Sequence, residues 1–201
     1  KEKAGGALKN IRGIAYLEAN EIRISPQRDL GENLDSLPFP AWEFFPKLKL
    51  YKTRSRKFPV APLLTSRGCP FSCIYCSKDI FKSVFRKRSA ENVIEEIDYL
   101  VKEFNVRQID IMDDNFTMDR NRAHRILDYI IARDYHLAIN LQLGVRADCV
   151  DESLLKKMKK AGVYKIAFGV ESGDPLVLKT ANKQLDLEKV LKSTSLAKKA
   201  G

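Results

Sequence analysis

The stretch TSRGCPFSCIYCS, residues 65–77, places Cys69, Cys73 and Cys76 within eight residues, and it continues the short apolar run VAPLLTS of 60–66. Three thiols this close together are a metal-binding arrangement one ligand short, because zinc and most iron–sulfur sites take four protein ligands. The remaining cysteine is Cys149, and the only histidines are His124 and His136. His124 falls in mid-helix and His136 at a helix-to-strand turn, and neither belongs to a ligand pair. The fourth ligand is therefore either a distant residue such as Cys149 or a position left open.

The residues C-terminal to the loop settle the fold class. KRSAENVIEEIDYLVKEF carries Ile94, Ile97, Leu100, Val101 and Phe104 at helical spacing behind Ser89 as N-cap. RQIDIMD (107–113) is a second strand, DRNRAHRILDYIIARD a helix with an apolar stripe through Ala123, Ile126, Leu127, Ile130 and Ile131, and LAINLQLGV (137–145) a third strand. DESLLKKMKKAG reads as a helix from the N-cap Asp151 to Gly162, YKIAFGV (164–170) as a fourth strand, and 186–201 as a last helix. Strands that alternate with helices pair in parallel and build βα units. The residues with chemistry to offer all fall just after strands, at 69–76, 113–115, 146–149 and 171–174. In parallel sheets that edge is where ligands bind, so four segments converge on one rim, which favours an enzyme over a scaffold.

Residues 1–59 differ from the rest. IRGIAYLEANEIRIS (11–25) reads as a β-hairpin around EAN, and the proline- and aromatic-rich stretch after it as an extended connector whose Trp42, Phe44 and Phe45 pack onto the next domain. The domain division expected is 1–59 for hairpin and connector and 60–201 for the core. The 201 residues are 44% apolar and 31% charged, which excludes a disordered chain, and no run of 18 apolar residues predicts a membrane span. The net charge of +10 includes the basic run KLKLYKTRSRK (47–57). It is either a solvated surface or a patch for an anionic substrate, redox partner or nucleic acid; no aromatic-interleaved nucleic-acid module accompanies it. Clustered cysteines without a secretory signal point to metal ligation in a reducing compartment, the cytoplasm.

The C-x3-C-x2-C loop after a first strand, with Tyr75 before the last cysteine, resembles the signature of the radical S-adenosylmethionine (SAM) enzymes. LDSLPFPAWEFFP, KRSAENVIEEIDYL, IDIMDDNFTMD and FGVESGDPLVLKTANK extend the similarity to the subgroup that carries cobalamin-binding domains, with its radical methyltransferases and magnesium-protoporphyrin-type cyclases. The resemblance implies a TIM-like (β/α) barrel. It also implies a [4Fe–4S] cluster on Cys69, Cys73 and Cys76, with the fourth iron left for S-adenosylmethionine. That cofactor would be cleaved reductively to a 5′-deoxyadenosyl radical that takes a substrate hydrogen. An electron donor such as flavodoxin or ferredoxin and a small-molecule substrate would be the partners. Family barrels have six strands, so the chain is expected to be a fragment ending after the fourth strand and its helix, and cobalamin would need an upstream domain.

The resemblance also implies roles at the rim. Asp113, Asp114 and Asn115 stand where the methionine ammonium is contacted, or else form a turn before a helix capped by Asp119. Glu171 and Ser172 match the ribose position, against the reading of a polar strand end. Lys183 would neutralise the methionine carboxylate, or else is an exposed lysine. Arg146 is a bidentate carboxylate clamp or a structural ion pair. Cys149 reads as a small buried residue. Two other readings stay open: a methylthiotransferase or tRNA-modifying member of the superfamily, and a non-catalytic zinc-binding module.

Overall fold

The computed structural model describes residues 8–31, 33–51 and 55–201, without the side chain of Gln142. It divides into two compact units, Lys1–Glu32 and Asn33–Gly201. In the first, strands β1 (Ala15–Glu18) and β2 (Glu21–Ile24) pair antiparallel, with Leu17 opposite Ile22. The expected hairpin forms because Ala19 and Asn20 both take left-handed dihedrals, at φ 49° and 67°, as a two-residue turn of this kind requires.

The second unit begins earlier than the expected boundary at residue 60. Leu34, Trp42 and Leu48 of the connector are buried, and the Trp42 indole N–H points at the Glu96 carboxylate 3.4 Å away. Phe44 departs from expectation: it is 84% exposed, because the tight 3-10 turn Trp42–Phe44 sends only Trp42 inward. Phe45 is half-exposed, with its ring 5.4 Å from that of Trp42. In the basic run, residues 52–54 lie outside the described residues. Arg56 and Lys57 turn their backbone N–H groups onto Gln108 Oε1, at 2.7 and 3.0 Å.

Strand β3 (Val60–Leu63) leads into a short antiparallel pair, β4 (Ser66–Arg67) and β5 (Arg86–Lys87), that brackets the cysteines. The central sheet has four parallel strands in the order β3, β6 (Gln108–Ile111), β7 (Ala138–Val145) and β8 (Val163–Phe168). The order follows the sequence, as in one wall of a β/α barrel. Helices α1 (Ala90–Phe104), α2 (Arg120–Arg133) and α3 (Glu152–Ala161) are the connections between these strands. The register sets two faces. Ala61, Ile109 and Ile139 are aligned across β3, β6 and β7, and they join Val93, Ile97, Leu100, Ile126, Leu127, Leu154 and Met158 in one core. This is the helix side. Pro62, Asp110, Asn140 and Lys165 alternate with them and share the opposite, inner face.

The helix ends follow the sequence closely. Ser89, Asp119 and Asp151 each accept a backbone N–H in the first turn. Gly162, at φ 101°, closes α3 where an added Cβ would strike the Leu137 carbonyl. Helices α4 (Pro175–Thr180) and α5 (Leu187–Ala200) come after β8. Beside β8, which ends the sheet, an apolar-lined hollow of about 290 Å³ runs between Ile166 and Phe168 and the α5 residues Ala197 and Ala200. Among the described residues, no helix is long and apolar enough to cross a membrane.

Candidate functional site: a cysteine loop at the strand ends

The loop carrying the three cysteines leaves β3 and returns to α1 through a narrow neck. There β4 pairs with β5, and Arg88 N donates to Thr65 O at 3.0 Å. Beneath the neck lies a buried polar network. Asp113 accepts from Thr65 N at 2.6 Å, from the Thr65 hydroxyl, and from Ser66 Oγ at 2.6 Å. Arg122, buried on α2, donates to Thr65 O at 3.1 Å, Thr65 Oγ1 at 3.0 Å and Arg88 O at 3.4 Å, and its guanidinium stands 3.7 Å from Asp113. Burial pushes the Asp113 carboxyl up, against the pull of its hydrogen bonds and of Arg122. Asp114 accepts from Gly68 N at 2.9 Å. Gly68 sits at φ 82° with its missing Cβ against the Val84 carbonyl, so only glycine fits that bend.

Beyond the neck the loop has little regular structure. Its thiols are free: Cys69 and Cys73 are half-buried and Cys76 is exposed. The segment after β8 holds it in place. Ile74 N donates to Ala181 O at 3.1 Å and Asn182 Nδ2 to Ser72 O at 3.0 Å. The Arg146 guanidinium lies 3.5 Å from the Phe71 ring centroid. Lys183 Nζ lies 5.7 Å from the Tyr75 ring centroid and donates to Glu171 Oε1 at 3.0 Å. Burial by itself would lower the Lys183 pKa, but the Tyr75 hydroxyl and Glu171 outweigh it and hold the ammonium above its ordinary value. Burial raises Tyr75, with Lys183 pulling the other way and Cys73 adding to the rise. Glu171 takes a left-handed backbone, φ 72°, uncommon for a residue with a side chain. Gly169 leaves the room this ion pair occupies, since a Cβ there would lie 3.1 Å from Glu171 Oε1 and 3.3 Å from Lys183 Nζ.

The residues predicted for the site fall into two groups. Tyr75, Glu171 and Lys183 meet beside the cysteine loop. Asp113, Asn115 and Arg146 instead have their polar atoms engaged inside the protein, Arg146 in the structural ion pair that was one of its two expected roles. Asn115 is buried; its Nδ2 faces Cys149 Sγ at 3.4 Å and its Oδ1 accepts from Thr117 Oγ1 at 3.0 Å. Arg146 makes four hydrogen bonds, at 2.8–3.0 Å, to both Asp148 oxygens and to the carbonyls of Lys183 and Gln184. It therefore braces the segment that presents Lys183. Ser172 Oγ accepts from Asp174 N at 3.0 Å, a local turn leading into α4. Cys149 is buried, which pushes its thiol pKa up, and its sulfur faces the Asn115 amide. His136 is exposed beside Asp134. Sequence reasoning missed Arg122; it shares the helical phase of Ile126 and Ile130, and a lone arginine on an apolar stripe was the available signal.

Among the described residues, no three His, Cys, Asp or Glu side chains stand close enough to hold an ion as they are. The donor set still fits an iron–sulfur cluster. Three unpaired thiols lie on one loop, thiolates are the ligands such clusters take, and Cys149 is separately engaged.

A sequence profile of the radical SAM superfamily matches residues 63–201. A protein of Pyrococcus horikoshii described as an uncharacterized methyltransferase is 33% identical over 198 residues, covering 98% of this chain and 42% of the relative. The cytidylyl-2-hydroxyethylphosphonate methyltransferase of Streptomyces wedmorensis is 31% identical over 185 residues, covering 88% of this chain and 34% of that protein. The chain thus spans less than half the length of these relatives. Among solved structures, the radical SAM methyltransferase TsrM of Kitasatospora setae, with cobalamin and a [4Fe–4S] cluster bound, superposes with a TM-score of 0.71 at 17% identity, over 98% of this chain and 40% of that one. The fold, the three-thiol loop at the strand ends and the profile match agree: the chain belongs to the radical SAM superfamily.

Proposed function

We propose that this chain is the cluster-bearing part of a radical SAM enzyme, with Cys69, Cys73 and Cys76 as the ligands of a [4Fe–4S] cluster. The observation that carries the reading is the meeting of three free thiols with Tyr75, Glu171 and Lys183 at one rim of the sheet. When bound, the cluster and S-adenosylmethionine supply reductive cleavage to a 5′-deoxyadenosyl radical that abstracts a hydrogen from the substrate.

The chain's own residues bind and orient. Lys183 offers a cation to the methionine carboxylate, kept protonated by Glu171 and Tyr75. Glu171, next to it, offers an acceptor to the ribose hydroxyls. Asp114, exposed at the loop's base, is the acceptor left for the methionine ammonium once Asp113 and Asn115 are engaged elsewhere. Arg146 and Asn182 position the segment that carries Lys183 against the loop. The overall reaction would be a methylation or a cyclisation, with cobalamin held by another part of the protein. The electron donor would be a flavodoxin or ferredoxin, and the compartment the reducing cytoplasm.

The test is anaerobic reconstitution with iron and sulfide. The reduced protein should give an EPR signal that S-adenosylmethionine perturbs, and the whole enzyme should release 5′-deoxyadenosine. A signal indifferent to S-adenosylmethionine would refute the assignment.

A further inference from the structure

The stretch 71–75 of the cysteine loop, with Cys73 at its centre, rests on Arg146 at the end of β7 and on residues 181–183 after β8. Arg146 covers the Phe71 ring at 3.5 Å from its centroid, and Lys183 Nζ stands 5.7 Å from the centroid of Tyr75. Between these contacts, Asn182 Nδ2 donates to Ser72 O and Ile74 N donates to Ala181 O. Phe71 lies in the gap between Cys69 and Cys73, and Tyr75 in the gap between Cys73 and Cys76. Each gap therefore carries one aromatic ring, and each ring meets one cation.

The two cations are tied to each other. Arg146 donates to Lys183 O at 3.0 Å and to Gln184 O at 2.9 Å, while Asp148 accepts from its other side at 2.9 and 2.8 Å. Guanidinium N–H groups lie in the plane of the group, so these bonds fix that plane and leave its flat face for the Phe71 ring. The backbone around Lys183 needs such a hold. Asn182 and Gln184, on either side of it, both sit at φ 50°, a left-handed conformation that side-chain-bearing residues keep only where their surroundings impose it. Arg146 and Lys183 are both buried, and a cation over a ring is worth most where water is excluded.

We infer that Arg146 is a positioning residue that sets the Lys183 cation against the cysteine loop, with the Phe71 ring as its contact on the loop. A loop held at Phe71 and a lysine held at its carbonyl keep one separation between the thiols and the cation. Affinity for S-adenosylmethionine then depends on a ring that acts only through Arg146. The inference rests on the role proposed for Lys183, a cation for the methionine carboxylate.

Titration of S-adenosylmethionine into the reduced, reconstituted whole protein, followed by its EPR signal, gives an affinity per cluster. Phe71→Leu keeps an apolar side chain and removes the ring. It should weaken that affinity by roughly 2- to 30-fold, the range of a cation–ring contact. Iron content and the unfolding midpoint should stay at the wild-type values, and Phe71→Tyr, which keeps a ring, should retain the affinity. Arg146→Met should weaken binding at least as much, and adding Phe71→Leu to it should cost nothing further, because the contact is already gone. Unchanged affinity in Phe71→Leu overturns the inference, as does lost iron or stability with unchanged affinity per cluster, since the ring would then only pack the loop. A full further loss on the Arg146→Met background overturns it too. If Arg146→Met does not fold, the comparison of Phe71→Leu with Phe71→Tyr decides alone. Binding weakened by Lys183→Met but not by Phe71→Leu refutes the positioning role alone. Affinity unchanged in Lys183→Met refutes the role proposed for Lys183, and the positioning role with it.

Discussion

The neck and the tip of the cysteine loop are built on opposite principles. At the neck, residues 65–68 and 86–88 are held by a two-residue ladder and by the buried pair Asp113 and Arg122. At the tip, Ile74 and Ile80 are 70% and 76% exposed, and the backbone is tied at single points, by Ala181 and Asn182 of the segment after β8. Scaffold atoms are held through hydrogen bonds formed within the protein, whereas the thiols of the tip stay free for what they bind. Substitutions at the two ends should therefore separate stability from cofactor loading.

The largest effect is expected from Asp113→Ala. Removing one partner of a buried charge pair leaves the other uncompensated, at about 3–5 kcal/mol, and here Thr65 and Ser66 lose their acceptor as well. Denaturant unfolding checks this, and a loss below about 1 kcal/mol would mean that this network does not clamp the neck. Gly68→Ala should come next, at roughly 1–3 kcal/mol for a left-handed alanine, with added cost from the Val84 carbonyl. The same unfolding curves would show it, and a neutral result would place the bend elsewhere.

Acid should loosen the tie between Lys87 and Asp119 at the neck by a smaller, graded amount. Burial acts against Asp119, but Lys87 and the Arg122 backbone N–H hold its carboxyl below the ordinary range. A depressed folded value gives stability that is present above the unfolded value of about 3.9 and lost as pH falls through the folded one. Asp113, raised by burial, has the opposite sign: its contribution is present below the ordinary value and lost as pH rises. The stability gap between wild type and Asp119→Asn, open at neutral pH, should thus close in acid; a gap that persists would rule out the ion pair with Lys87. The smallest effect belongs to the tip, where Ile80→Ser should change stability by no more than about 0.5 kcal/mol. A larger loss in thermal unfolding would show that the tip is packed after all.

The sheet, its connecting helices and their caps were legible because period and capping chemistry are local signals: Ser89, Asp119, Asp151 and Gly162 stand where the sequence puts them. The cysteine loop was legible from its spacing. The neck was not, because two-residue strands carry no periodicity and Thr65 meets Asp113 across 48 positions. Which of the two readings of Asp113, Asn115 and Arg146 applies was not legible for a related reason. A polar residue at a strand end looks the same in sequence whether it faces a ligand or a backbone carbonyl, and only the tertiary partners decide. Trp42 and Phe44 show the same limit, since two aromatics two residues apart have opposite fates.

Whether the tip's three thiols are a ligand set is tested most directly by iron and sulfide content after anaerobic reconstitution, with wild type and Cys73→Ala compared at matched folded protein. The wild type should hold about four irons per chain, as a [4Fe–4S] cluster requires. Cys73→Ala should lose most of that iron while the unfolding midpoint of the cluster-free protein stays unchanged. Equal iron in the two proteins, or zinc alone at one per chain, would contradict the assignment.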